Sequence, residues 1–133
     1  MATEPPPDGR AAPRGHRQRL GARGEQLAAD WYLVRGYAVV AGNWRCREGE
    51  LDLVVARDGE LVFCEVKTRS SDRFGVPAEA VTFAKQRRLR VLAARFLAEH
   101  ADGLGPGSSS RRGVRFDVAA VTHGRVEVIE AAF

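Results

Sequence analysis

The chain has 133 residues, 44% apolar and 29% charged, which supports one ordinary globular domain and excludes two. No window approaches the roughly 18 apolar residues of a membrane span, and two cysteines, Cys46 and Cys64, exclude a disulfide framework or a zinc knuckle. The net charge of +4 is uneven, because Met1 to Arg23 carries five Arg against Glu4 and Asp8 while the remainder is nearly neutral. A basic arm suits a polyanion partner through counterion release and equally suits a solvated tail, so charge does not decide function.

Residues 1–17, rich in Pro, Gly, Ala and Arg, have little apolar surface to bury and are expected to form a disordered basic tail. They contain no apolar stretch for a signal peptide, so a cytoplasmic location is expected, with a single domain over 18–133. A helix follows from about Arg19 to Arg35, with Leu20, Leu27, Trp31 and Val34 at helical spacing and Gly36 as its stop. Tyr37 to Cys46 reads as a strand. The Arg47-Glu48-Gly49 turn leads to a second strand, Glu50 to Ala56, and Asp58-Gly59 marks a hairpin into a third, Glu60 to Thr68. Ser70 to Ala80 reads as a loop long enough for a lid. A second helix spans Thr82 to His100, with Leu89, Leu92, Ala93, Phe96 and Leu97 on one face. After a Gly/Ser linker at 103–110, Val114 to Thr122 and Arg125 to Glu130 are two more strands, joined at His123-Gly124. The fold class is α/β, with a central sheet and the order helix, three strands, helix, two strands.

The third strand carries the first sign of chemistry. Leu61, Phe63, Glu65 and Lys67 share one face, so two charges end an otherwise apolar strand. Burying them costs several kcal/mol per ion unless partners are present. The short hairpin brings Asp52 of the second strand alongside. Two carboxylates ~5 Å apart repel by roughly 3 kcal/mol at an effective dielectric of about 20, so one titrates high or a cation sits between them. Oxygen ligands without a His or Cys cluster favour Mg²⁺ or Mn²⁺ over zinc. Such an ion polarises a phosphodiester, while Lys67 stabilises charge on phosphorus or positions the nucleophile. The structural alternative is a salt bridge at a fraying strand end.

Asp52 followed by Glu65-x-Lys67 on adjacent hairpin strands resembles the PD-(D/E)xK restriction-endonuclease-like superfamily. More closely, Gly21-x-x-Gly24-Glu25, Gly49-Glu50-Leu51-Asp52-Leu53-Val54, Phe63-x-Glu65-Val66-Lys67-Thr68-Arg69, Phe74-Gly75-x-Pro77-x-Glu79-Ala80-Val81 and Lys85-Gln86-Arg87-Arg88-Leu89 are similar to motifs of the YraN-like family. That family comprises bacterial predicted nucleases similar in fold to archaeal Holliday-junction resolvases. The resemblance covers about residues 20 to 133 and implies a central mixed sheet. It also implies a metal site of Glu25, Asp52, Glu65 and the Val66 main-chain carbonyl, Lys67 as catalytic lysine, and Gln86 beside the site. The first strand motif lacks the superfamily's Pro, with a hydrophobic residue before Asp52 instead.

On the helical wheel Glu25 lies off the large apolar stripe, on a flank with Ala28 and Tyr32, where a solvated first-turn acid is the alternative. Lys85 and Gln86 flank the apolar face of the second helix. Arg69 lies within reach of the site, and it is grouped with Lys85, Arg87 and Arg88 as contacts to nucleic-acid phosphate. Asp117 has no assigned role beyond a strand-end salt bridge. His16, His100 and His123 are expected to be exposed; Trp31 is expected in the core, and Trp44 in the core or stacked on a base. Three functions compete. A Mg²⁺- or Mn²⁺-dependent endonuclease acting on DNA comes first, on branched or single-stranded forms. A non-catalytic nucleic-acid-binding domain and a purely structural ion network are the alternatives. Resolvase-like members pair to cut two strands, so a homodimer stays open, although no dimer stripe is visible.

Overall fold

A computed structural model describes residues 11–69, 81–100 and 113–133, with side chains from residue 22 onward. The elements are α1 (Ala11–Val34), β1 (Ala38–Cys46), β2 (Gly49–Arg57), β3 (Glu60–Arg69), α2 (Phe83–Glu99), β4 (Gly113–Thr122) and β5 (Arg125–Ile129), in the expected chain order. The expected lid at Ser70–Ala80 and the linker at 103–110 lie outside the described residues, as do residues 1–10.

One five-stranded mixed sheet, ordered β1-β2-β3-β4-β5, runs through the molecule. β1 to β3 form an antiparallel meander, β3 and β4 pair in parallel across the α2 crossover, and β4 to β5 is a hairpin. The Asp58-Gly59 and His123-Gly124 turns both have two consecutive positive φ angles, the geometry whose twist matches paired strands.

The helices cover opposite faces of the sheet. α2 lays Leu89, Leu92, Ala93 and Phe96 on Val54, Leu61, Phe63, Phe116 and Val118. α1 lays Ala28, Ala29 and Tyr32 on Leu53, Val55, Val62, Cys64 and Ala119. Strand alternation explains this partition: Leu61 and Phe63 point to α2, Val62 and Cys64 to α1. Both cysteines are free thiols, Cys64 buried and Cys46 half-buried.

α1 departs from expectation in two ways. It starts at Ala11 rather than Arg19, so residues 11–17 have helical backbone where disorder was expected. Ala, Arg and Gln favour helix whether or not they are buried, and Pro13 falls in the first turn, where no intrahelical donor is lost. Its packed face also differs. Val34 is 81% exposed and Leu33 half exposed, whereas Ala28 and Tyr32 are fully buried. The stripe of larger side chains is therefore not the core stripe. Small residues let the helix approach the sheet, and a Cβ on Gly24 would lie 2.1 Å from Thr68 Oγ1. Trp31 is partly buried at the edge of this layer, under the Arg35 guanidinium.

α2 begins where the chemistry requires it. Thr82 caps it by accepting the Lys85 N–H at 3.2 Å, and Gln86 Nε2 donates to the Val81 carbonyl at 3.1 Å. The other end corrects a second expectation. His100 is half-buried and stacked on Phe96 at 4.1 Å between ring centroids, with Trp44 edge-on to both rings. Trp44 is thus a packing residue.

Candidate active site

The β2/β3 ladder has its last pair at Leu53 and Cys64. One step further along the same register sets Asp52 opposite Glu65. There the strands part, and the Asp52 Oδ2 accepts the Val66 N–H at 2.9 Å in place of a backbone carbonyl. The N–H and C=O of an extended residue leave the strand on the same side, so the Val66 carbonyl faces this gap as well.

Asp52 and Glu65 open into a cleft of about 210 Å³ between the sheet and α2, with Glu50, Lys85 and Arg88 as its other polar walls and Leu89 and Leu92 as its apolar floor. Glu65 is only 7% exposed. Its Oε2 lies 2.6 Å from Lys85 Nζ and 3.4 Å from Lys67 Nζ, so two ammonium groups from different elements share one carboxylate oxygen. Glu25, on α1 in the opposite layer, is half-buried and does not line the cleft, although its charge acts on Asp52. Burial pushes the Glu25 carboxyl up, a hydrogen bond with Asn43 opposes this, and the charges of Glu50 and Glu65 add to the rise.

The electrostatics follow from crowding. Burial first, then the Glu65 charge, push Asp52 from an ordinary 3.8 up to about 7; the Val66 N–H opposes them, while Glu25 and Glu50 reinforce them. Lys67 is held below its usual range by burial and by the neighbouring Lys85, with Glu65 pulling the other way. Burial also lowers Lys85, but its bonds to Glu65 and Lys67 outweigh this and leave it raised.

The oxygen-rich, over-acidic end of the cleft has the chemistry of a hard divalent cation's donor set. Asp52 titrates high because it is buried and because negative charge gathers around it, and added positive charge relieves the second of these. Among the described residues, no three His, Cys, Asp or Glu side chains stand in a ready-made metal-holding group. Holding an ion between these acids would require side-chain rearrangement, including at Glu65, whose Oε2 is taken by the lysines.

The sequence-predicted residues divide as follows. Asp52, Glu65, Lys67 and Lys85 come together, with Glu25 near enough for its charge to act on Asp52. Lys85, grouped by sequence with phosphate contacts, stands on the acid itself. Arg88 lines the cleft and Arg87 is exposed beside it. Gln86 is bonded to the Val81 carbonyl rather than to an acid. Arg69 ends β3, half-buried. Glu50 and Asn43 belong to the site although no motif argument selected them. The signal for Glu50 was its place two residues before Asp52, on the same face of one strand.

Asp117 belongs elsewhere. It is fully buried on the α1 face, where its oxygens accept bonds from Tyr32 Oη at 2.5 Å, Arg115 Nε and Nη2 at 2.8 Å each, and the Ala131 N–H at 3.0 Å. Arg115 also reaches Glu60 and the Tyr37 hydroxyl. The expected strand-end salt bridge is instead a saturated buried network that ties α1 to β4 and to the residues after β5.

A mixed sheet between two helices, with Asp52 and Glu65-x-Lys67 on adjacent strands facing one cleft, defines a PD-(D/E)xK, restriction-endonuclease-like protein. The chain belongs to the YraN-like family: residues 24–121 match the family described as "Uncharacterised protein family UPF0102". It is 57% identical over 107 residues to a UPF0102 protein of Beutenbergia cavernae, covering 80% of this chain and 84% of that one. A UPF0102 protein of Frankia casuarinae is 54% identical over 120 residues, covering 86% and 95%. One from Clavibacter michiganensis subsp. michiganensis is 48% identical over 120 residues, covering 86% and 96%.

Proposed function

We propose that this protein is a Mg²⁺- or Mn²⁺-dependent endonuclease that hydrolyses phosphodiester bonds in DNA, with branched or single-stranded forms as leading substrates. The observation that carries this reading is the pairing of Asp52 and Glu65 with two lysines at one cleft. Asp52, Glu65, Glu25 and the Val66 carbonyl are the residues that would hold the ion. A hard divalent cation there supplies the Lewis-acid polarisation of the phosphodiester and the activation of water. Lys67 stabilises charge that builds on phosphorus or positions the nucleophile, and Gln86 lies on the adjoining turn of α2. In this reading Arg69, Arg87 and Arg88 hold strand phosphates, with the basic N-terminal arm as further polyanion contact. No helix among the described residues is long and apolar enough to cross a membrane, and the reading takes the protein to act in the cytoplasm. A homodimer suits an enzyme that cuts two strands.

The test is cleavage of linear, flapped and four-way DNA in Mn²⁺ and in Mg²⁺. Wild type cuts at least one substrate, chelator stops it, and Asp52→Ala abolishes it. No cutting of any substrate by wild type, or undiminished cutting by the variant, overturns the proposal. A non-catalytic nucleic-acid-binding domain is the second reading, favoured because, among the described residues, no three His, Cys, Asp or Glu side chains form a group that could hold a metal ion. It requires salt-sensitive binding that chelator and Glu65→Ala leave unchanged.

A further inference from the structure

Lys85 makes the shortest ionic contact to the buried acid of the cleft, and it comes from a different element than the motif lysine. Lys67 is two residues from Glu65 on the same strand and face, so strand geometry keeps it near the carboxylate. Lys85 stands on the third residue of α2, held there by the Thr82 cap, and reaches Glu65 only through its flexible four-carbon stem. Its ammonium lies at 2.6 Å from Glu65 Oε2, closer than that of Lys67 at 3.4 Å. A cation ligated through Glu65 Oε2 takes the oxygen that Lys85 holds, and one ligated through Oε1 sits beside the same ammonium. Two ammonium groups at one oxygen also repel each other, so this pair gives up one of them more readily than a lone ion pair would.

We infer that Lys85 is an internal counter-cation of the cleft, one that competes with the divalent metal for Glu65. The inference rests on the metal-site reading above and assigns Lys85 a role in setting metal affinity. On this view a phosphate arriving at the cleft favours loading, because it gives the displaced ammonium a new partner. Lys85 is a positioning residue whose effect appears in binding, before any bond is cut.

The experiment is Mn²⁺ titration by calorimetry on the full chain, comparing wild type, Lys85→Met and Lys85→Arg, each confirmed folded by circular dichroism. Removing the competitor tightens Mn²⁺ binding by about tenfold in Lys85→Met, within the usual range for coupled ligands. Lys85→Arg, which keeps the charge, stays near wild type. Equal or weaker Mn²⁺ binding by Lys85→Met, with wild type still binding, overturns the role of Lys85 alone. Should Lys85→Met fail to fold, Lys85→Gln takes its place with the same expectation. Absence of Mn²⁺ binding in wild type and variants alike overturns the metal-site reading and this inference together.

Discussion

At the scale of single residues, Asp52 is the most informative side chain in the molecule. Its carboxyl is pushed from 3.8 to about 7 by burial and by Glu65, so the folded protein keeps a proton that the unfolded chain has released through this window. Stability should therefore fall as pH rises from about 4 to 7, the direction linkage requires for a carboxyl whose folded pKa is raised. Asp52→Asn keeps an oxygen for the Val66 N–H and removes the charge. In chelator at pH 8 it should be more stable than wild type by on the order of 1–3 kcal/mol, with the pH slope flattened. Thermal melts across pH check this, and parallel wild-type and variant profiles would refute it. Asp52 and Glu65 were legible in sequence because charge inside an apolar strand is costly wherever the strand ends up. The place of Lys85 was not, since it depends on how α2 is rotated over the sheet, which the apolar face fixes only to within a neighbouring position.

At the scale of elements, the strands were readable because alternation and the Asp58-Gly59 turn set their register locally. The packed face of α1 was not. Side-chain size favoured Leu27, Trp31 and Val34, while closeness of approach selected Gly24, Ala28, Ala29 and Tyr32. Periodicity weighs hydrophobicity and is blind to how near two backbones come. This seat bears on the proposed metal site, because Glu25 follows Gly24 directly. A Gly24→Ala side chain would meet Thr68 Oγ1 at 2.1 Å and Thr68 Cβ at 3.3 Å. Despite alanine's better helix propensity, the substitution should destabilise by about 1–3 kcal/mol and weaken Mn²⁺ binding by moving Glu25. Thr68→Ala in the same chain should recover part of the loss. A double-mutant cycle in denaturant measures the coupling, and strictly additive effects would refute the contact.

For the molecule as a whole, the proposed function gives the exposed basic side chains and the carboxylates of the cleft separate tasks. Phosphate contacts fix a strand without reading it, and each adds to the salt dependence of binding. Removing exposed Arg87 should weaken DNA binding similarly for all sequences and reduce the slope of log K against log salt by about one. Fluorescence anisotropy over a salt series measures this; an unchanged slope would move the strand's path off α2. The parallel pairing of β3 with β4 carries a consequence for how the molecule assembles. The meander of β1 to β3 joins sequence neighbours, but Glu60 of β3 meets Gly113 of β4 only after the whole crossover has closed. Chain entropy must be given up for that closure before the contacts return it, which makes it the slow part of assembly. The meander by itself carries Asp52, Glu65 and Lys67, and the docking of α2 adds Lys85 as a second ammonium at Glu65.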